Sequence, residues 1–153
     1  MKESDARIER IRAGDVDTMR DMLAMMGAAF DDVGTYTRAQ PDDAYLRRLL
    51  SGTHFIALAA VSDGKVVGGL AAYELQKFEQ ARSELYIYDL AVDEAWRRRG
   101  IATALIGELR TIARERGAWV IYVQADPPDA PAMALYTKLG TREDVCHFDI
   151  PVG

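Results

Sequence analysis

The chain has 153 residues, 49% of them hydrophobic and 28% charged, enough to bury most of the apolar surface of one domain, expected over residues 1–153. Its net charge of −5 argues against general nucleic-acid binding, which calls for a basic face, and favours a cationic partner. No apolar run approaches the roughly 20 residues of a membrane span, the start MKESDARIER lacks a signal peptide's apolar core, and one thiol with two histidines supports neither an internal disulfide nor a closed Cys/His zinc site, so a cytoplasmic protein without membrane or metal is expected.

In VDTMRDMLAMMGAAF, Val16, Met19, Leu23, Met26 and Phe30 recur at steps of three and four, which predicts a helix with one buried stripe, capped by Asp15. Met19, Met22, Met25 and Met26 read as its packing residues, and the FDDVGTY that follows reads as a loop edging an acceptor pocket. PDDAYLRRLL, residues 41 to 50, predicts a second short helix with Pro41 near its first turn. HFIALAAV and KVVGGLAAYEL are strand-like runs joined by SDG, the signal of an antiparallel hairpin.

A third strand is expected at 84 to 92, ELYIYDLAV, and then a helix over 101 to 116 whose Ala102, Leu105, Leu109 and Ile112 share a face and whose C-cap is Gly117. AWVIYVQA predicts a further strand, APAMALYTKLG a short helix ending at Gly140, and REDVCHFDI a last strand. In that last strand Cys146 alternates with Phe148 and Ile150 and reads as a buried core thiol; His147, on the other face with Val145 and Asp149, reads equally as an acceptor-site residue or a half-exposed strand histidine. A hairpin followed by strand–helix–strand–helix–strand implies an α/β (α+β) fold, a mixed sheet with helices on its faces.

The charge is uneven. Carboxylates concentrate in FDDVGTY, QPDDAY and QADPPDA, whereas Arg97, Arg98 and Arg99 stand together before Gly100, between an apolar strand and an amphipathic helix. A helix N-terminus presents backbone N–H groups without intrahelical partners, its dipole adds partial positive charge, and flanking arginines add donors suited to phosphate oxygens. Glycine admits a backbone conformation and a close approach that a side chain would obstruct.

RRRGIA matches the Q/R-x-x-G-x-G/A acetyl-coenzyme A signature of the GNAT acetyltransferases, with Arg97, Gly100 and Ala102 at the defining positions. Ala132 and Tyr136 fall as in that family's N-x-x-A-x-x-x-Y pattern, with Asp129 in place of the common asparagine and Thr141 where an aromatic residue often follows the glycine. FDDVGTY, FIALAA, AAYELQKFEQARSELYIYDLAV, RRRGIATALI, VIYVQAD and ALYTKLGTREDVCHFDI carry the likeness further: from about residue 28 to 150 the chain resembles the aminoglycoside 3-N-acetyltransferases of type I. That resemblance implies a GNAT fold whose two parallel core strands start side by side and splay apart. It implies acetyl transfer from acetyl-coenzyme A to the 3-amino group of 2-deoxystreptamine in gentamicin-like antibiotics, by direct attack in a ternary complex, and hence antibiotic resistance. It further implies that the pantetheine arm pairs with the main chain at Leu90, Ala91 and Val92, and that the pyrophosphate meets the N–H groups of Arg98, Arg99, Gly100, Ile101, Ala102 and Thr103, with Asp129, Ala132 and Tyr136 completing the coenzyme set.

Acetyl transfer needs a neutral amine, donors for the developing oxyanion and a proton for the departing thiolate. By resemblance Tyr136 is the general acid, and backbone N–H groups around Ala91 and Val92 serve the oxyanion. If ELYIYDLAV is a strand, Asp89 points away from Tyr86 and Tyr88, in the set of Leu85, Ile87 and Ala91, and an acid among apolar neighbours calls for a function. By resemblance Asp89 and Asp126 are assigned to the amino sugars, with Asp32 and Asp149 as weaker additions. Carboxylates that attract an ammonium also hold its proton in place, so a base is required; Asp89 is the first choice and Glu84 the fallback. Three other readings compete with the antibiotic-modifying enzyme: acetylation of another polyamine such as a spermidine-like metabolite, a non-catalytic coenzyme-binding module, and transfer to a protein lysine or amino terminus. Oligomeric state is open on sequence alone, a homodimer being common in the superfamily.

Overall fold

The computed structural model describes residues 6–153; the first five residues of MKESDARIER lie outside it. The chain divides into two compact units, one ending at Val123 and the other running from Gln124 to Gly153.

The first unit is built on one sheet of five strands in chain order: β1 (Arg7–Arg10), β2 (Phe55–Ser62), β3 (Lys65–Gln76), β4 (Ser83–Val92) and β5 (Ala118–Val123). Successive strands are antiparallel up to β4, and β5 runs parallel to β4. The β2–β3 hairpin turns through Asp63 and Gly64, both at positive φ (48° and 74°), the backbone that matches the twist of paired strands. β1 was not foreseen. RIER carries no alternating apolar signal, and it becomes a strand by pairing with β2, Arg7 opposite Val61 and Arg10 opposite Leu58.

Four helices belong to this unit: α1 (Val16–Ala29), α2 (Val33–Thr37), α3 (Asp43–Ser51) and α4 (Ile101–Arg116). α1 buries Val16, Met19, Met22, Met25 and Met26 in one cluster with Phe55, Ala57, Ala59, Ala71 and Ala91, so its methionines are core. Phe30 falls beyond the helix and is 41% exposed. Asp15 occupies the N-cap position, yet its carboxylate accepts from the backbone N–H of Arg12 (2.9 Å) and caps no helical N–H. Part of FDDVGTY, expected as loop, is the helix α2. α3 starts after Asp42, whose carboxylate accepts from Tyr45 N–H at 2.9 Å. α4 ends as expected at Gly117, in the left-handed conformation.

Two adjacent glycines of β3 let both helical layers approach the sheet. A Cβ on Gly69 would lie 2.5 Å from Met22 Sδ of α1, and one on Gly68 would lie 2.8 Å from Ile101 Cγ2 at the first residue of α4. Alternation sends neighbouring residues of a strand to opposite faces, so the pair seats one helix on each side.

The second unit contains α5 (Ala130–Leu139). Asp129 caps it, accepting from Ala132 N–H at 3.3 Å, and Gly140 N–H closes it on Tyr136 O at 2.9 Å. The expected strand REDVCHFDI is absent: residues 141–153 form neither helix nor strand, and Cys146 is exposed rather than buried. The alternation in the sequence is genuine, but alternation alone does not make a strand, which exists only in a ladder. Among the described residues no helix is long and apolar enough to cross a membrane.

Candidate functional site

β4 and β5 pair only at their starts. Ser83 stands opposite Ala118 and the ladder ends where Ile87 meets Val123, while β4 continues to Val92, paired with β3 alone over Leu90, Ala91 and Val92. The peptide groups of that segment on the side away from β3 therefore have no strand beside them. This is the splay between two parallel core strands, and it leaves main-chain donors and acceptors available to an extended, amide-bearing molecule.

Directly beyond β4, a 3-10 turn (Glu94–Trp96) leads into the arginines. Arg97 Nε donates to the carbonyl of Val92 (3.2 Å), and the Arg99 guanidinium lies over the Trp96 ring, 4.6 Å from its centroid. Arg98 and Gly100 both adopt positive φ, 63° and 78°. The first hydrogen bond of α4 joins Ala104 N–H to Gly100 O, and no side chain caps the N–H groups of Ile101, Ala102 and Thr103 before it. An uncapped N-terminus flanked by three exposed guanidinium groups fits a diphosphate, so these residues suit the pyrophosphate of a coenzyme.

Asp89 lies on a different face from the one that simple alternation gives. The β3–β4 register slips between Ala71 and Ala72: Ala72 faces Ile87, whereas Ala71 faces Asp89, leaving Tyr88 as the extra residue. Residues 71 and 72 project to opposite faces, so the bulge separates Asp89 and Ala91 from Leu85 and Ile87. Asp89 thus shares the α1 face with Ala71 and Tyr73. There the Tyr36 hydroxyl of α2 donates to Asp89 Oδ2 at 3.2 Å. Burial raises the Asp89 pKa above the ordinary carboxylate value, and the Tyr36 hydrogen bond opposes that shift.

Tyrosines surround this acid. Tyr73 meets Tyr88 edge-on at 5.9 Å, Tyr88 meets Tyr86 at 5.9 Å, and Tyr86 stacks on Tyr122 at 4.7 Å. Burial raises the pKa of Tyr36, Tyr73, Tyr86 and Tyr122, and the nearby Asp89 charge adds to this for the first three. These hydroxyls therefore stay protonated at neutral pH, presenting donors and electron-rich ring faces. Sequence reading missed the group because the bulge hid which tyrosines share a face with Asp89; an aromatic residue within the acid-rich FDDVGTY was the available signal for Tyr36.

Other predicted residues have local surroundings of their own. Glu84 sits five residues before Asp89 on β4, ion-paired with Lys77 (3.2 Å) and accepting from Trp119 Nε1 (3.3 Å). Asp32 is exposed at the start of α2, where its carboxylate caps nothing. In the second unit Asp126 is exposed, and its carbonyl accepts from Asp129 N–H at 2.9 Å. Asp149 is exposed and bonded to His147 Nε2 at 2.9 Å. Tyr136 is half-buried on α5, its pKa raised by burial and by the Asp129 charge.

Residues 20–141 match the acetyltransferase (GNAT) family, and the chain belongs to it. An aminoglycoside acetyltransferase from an uncultured soil metagenomic sample is 58% identical, with a TM-score of 0.95 over 97% of this chain and 99% of that one. A second such enzyme from an uncultured soil sample, crystallised in complex with sisomicin, is 30% identical with a TM-score of 0.89 over 97% of each chain. Human N-acetyltransferase 8 is 32% identical across 55% of this chain and 37% of its own length; the chain spans less than half the length of the curated relatives it matches.

Proposed function

We propose that the chain transfers the acetyl group of acetyl-coenzyme A to an amine of an aminoglycoside, specifically the 3-amino group of 2-deoxystreptamine in gentamicin-like antibiotics, and so confers resistance. The observation that carries this reading is the half-buried Asp89, held by Tyr36 among tyrosines, on the strand segment whose outer edge opens at the splay. A carboxylate there attracts ammonium groups, and tyrosine rings attract the same cations through their faces. Likeness to an aminoglycoside acetyltransferase at 58% identity supports the substrate class.

In this reading residues 1–153 act as one catalytic domain. Asp89 anchors an ammonium and takes the proton that must leave before the amine can attack, directly or through water. Glu84 is the weaker base, since Lys77 and Trp119 already occupy its carboxylate. Backbone N–H groups at Ala91 and Val92 face the oxyanion, and Arg97 through Thr103 hold the pyrophosphate. Tyr136 protonates the thiolate; its raised pKa keeps that proton in place until it is needed. Asp126, Asp32 and Asp149 add negative potential for a polycation, and Asp129 and Ala132 contribute to coenzyme binding through the start of α5.

Thiol release from acetyl-coenzyme A tests the acceptor class. Gentamicin should support turnover with a kcat/KM at least about a hundredfold above that of spermidine, a difference worth about 2.7 kcal/mol. A preference for spermidine would replace the antibiotic reading with the polyamine one, and release with neither would point to a non-catalytic coenzyme binder.

A further inference from the structure

The sheet face that carries Asp89 continues beyond it. α1 covers Ala57, Ala59, Ala71 and Ala91, and two residues along β3 from Ala71 the same face carries Tyr73. Its ring lies 5.2 Å from Phe55 on β2 and meets Tyr88 edge-on at 5.9 Å. Tyr88 is the extra residue of the β4 bulge and is 63% exposed. A bulge re-aims the side chain it carries, here toward solvent.

α3 supplies the far side. Its Leu46 and Leu50 share with Phe55 the core cluster against which Tyr73 and Leu49 pack, which sets α3 on the same side of the sheet as Tyr73. Tyr45, 50% exposed, has the Arg48 guanidinium 5.6 Å from its ring centroid, and Tyr45, Arg48 and Leu49 line an open pocket. Tyr73 is within reach of both ends: its pKa is raised first by burial and then by Tyr88, Tyr45 and Asp89. Arg47 pairs with Asp43 at 3.6 Å, whereas Arg48 has no ion pair among the described residues.

The two ends differ in charge. The Asp89 carboxylate suits an ammonium, whereas a guanidinium that already occupies the Tyr45 ring repels one. Guanidinium donors suit hydroxyl and ring-ether oxygens, and tyrosine faces suit the flat carbon face of a six-membered sugar. We propose that Tyr88, Tyr73, Tyr45 and Arg48 form a second acceptor subsite, which takes a further sugar ring by its carbon face and hydroxyl edge while Asp89 holds the 2-deoxystreptamine. The inference rests on the aminoglycoside reading of the acceptor and adds a source of selectivity to it. A linear polyamine held at Asp89 would lay its next ammonium against Arg48.

Calorimetric titration of the full chain with coenzyme A bound tests the subsite apart from turnover, with gentamicin, free 2-deoxystreptamine and spermidine as ligands. Tyr45→Ala, a change at an exposed position, should weaken gentamicin at least about tenfold and leave 2-deoxystreptamine, which fills the Asp89 end alone, within about twofold. Tyr88→Ala should weaken gentamicin more than 2-deoxystreptamine. Arg48→Glu should tighten spermidine at least about threefold, as repulsion becomes attraction. Equal losses for gentamicin and 2-deoxystreptamine would overturn the subsite, as would gentamicin binding that ignores Tyr45→Ala or spermidine binding that ignores Arg48→Glu. Ring-dependent binding without acetyl transfer would support the subsite and overturn the catalytic reading alone, and an absence of gentamicin binding would overturn both.

Discussion

The Tyr36 hydroxyl, on a five-residue helix, donates to the carboxylate of Asp89 at 3.2 Å, joining residues 53 apart in the chain. α2 is braced for this. Gly27 lets it pack closely on α1, since a Cβ there would stand 3.2 Å from Tyr36 Cβ. Beyond α2, Gln40 donates to the Tyr36 carbonyl (3.0 Å), and Arg20 holds both Gln40 (2.8 Å) and Asp43 (2.6 Å). The acid proposed as anchor and base is thus held from α1 through the α2–α3 connection.

Tyr36→Phe should therefore act on Asp89. Activity requires the carboxylate, so kcat/KM for the acceptor falls as pH drops through its pKa, a limb that burial already lifts above the ordinary aspartate range. Removing the hydroxyl, which favours the charged form, raises that pKa further and moves the acid limb to higher pH. A hydrogen bond to a charged group is worth about 1.5–3 kcal/mol, so about a tenfold or larger loss is expected on that acid limb, with little change well above it. A pH–rate profile with an unmoved acid limb would remove Tyr36 from this role.

Asp89→Asn should abolish the acid limb rather than shift it, and raise KM for the acceptor while leaving the coenzyme dissociation constant within about twofold. Steady-state kinetics across pH with calorimetric titration of coenzyme A checks both. Unaltered acceptor kinetics would exclude Asp89 as anchor and base together.

Tyr136→Phe should lower kcat by about 10²–10⁴, the usual contribution of a positioned proton donor, with little change in coenzyme affinity. A normal maximal rate would assign the proton to another group.

Gly68→Ala tests the seat of the phosphate turn. Its new Cβ would press on Ile101, the buried first residue of α4, and overpacking of this kind costs about 1–3 kcal/mol. A lower melting temperature is expected together with a weaker coenzyme A complex, because the displaced residue carries one of the free N–H groups. Gly100→Ala, at φ 78° with open space around it, should weaken the complex through backbone strain alone.

Much of this arrangement was legible because it depends on local chemistry. The Asp63–Gly64 turn, the α4 stripe closed by Gly117 and the arginine–glycine entry to α4 are each written in a few neighbouring residues. What was lost depends on partners distant in the chain. RIER becomes a strand only against β2, and REDVCHFDI alternates like a strand yet forms none. Asp89 was assigned to the wrong face because the parity rule assumes an unbroken register, and the slip at Ala71 and Ala72 is set by how two strands fit rather than by either one. Tyr36 could not be joined to Asp89 without knowing that α2, packed on α1, brings its hydroxyl within reach of β4.

The most direct measurement is the structure of the product. Gentamicin incubated with acetyl-coenzyme A and this protein, then analysed by tandem mass spectrometry and NMR, should carry a single acetyl group on the 3-amino nitrogen of the 2-deoxystreptamine ring. An acetyl group on a different nitrogen would contradict the assigned position, and no acetylated aminoglycoside at any enzyme concentration would contradict the account as a whole.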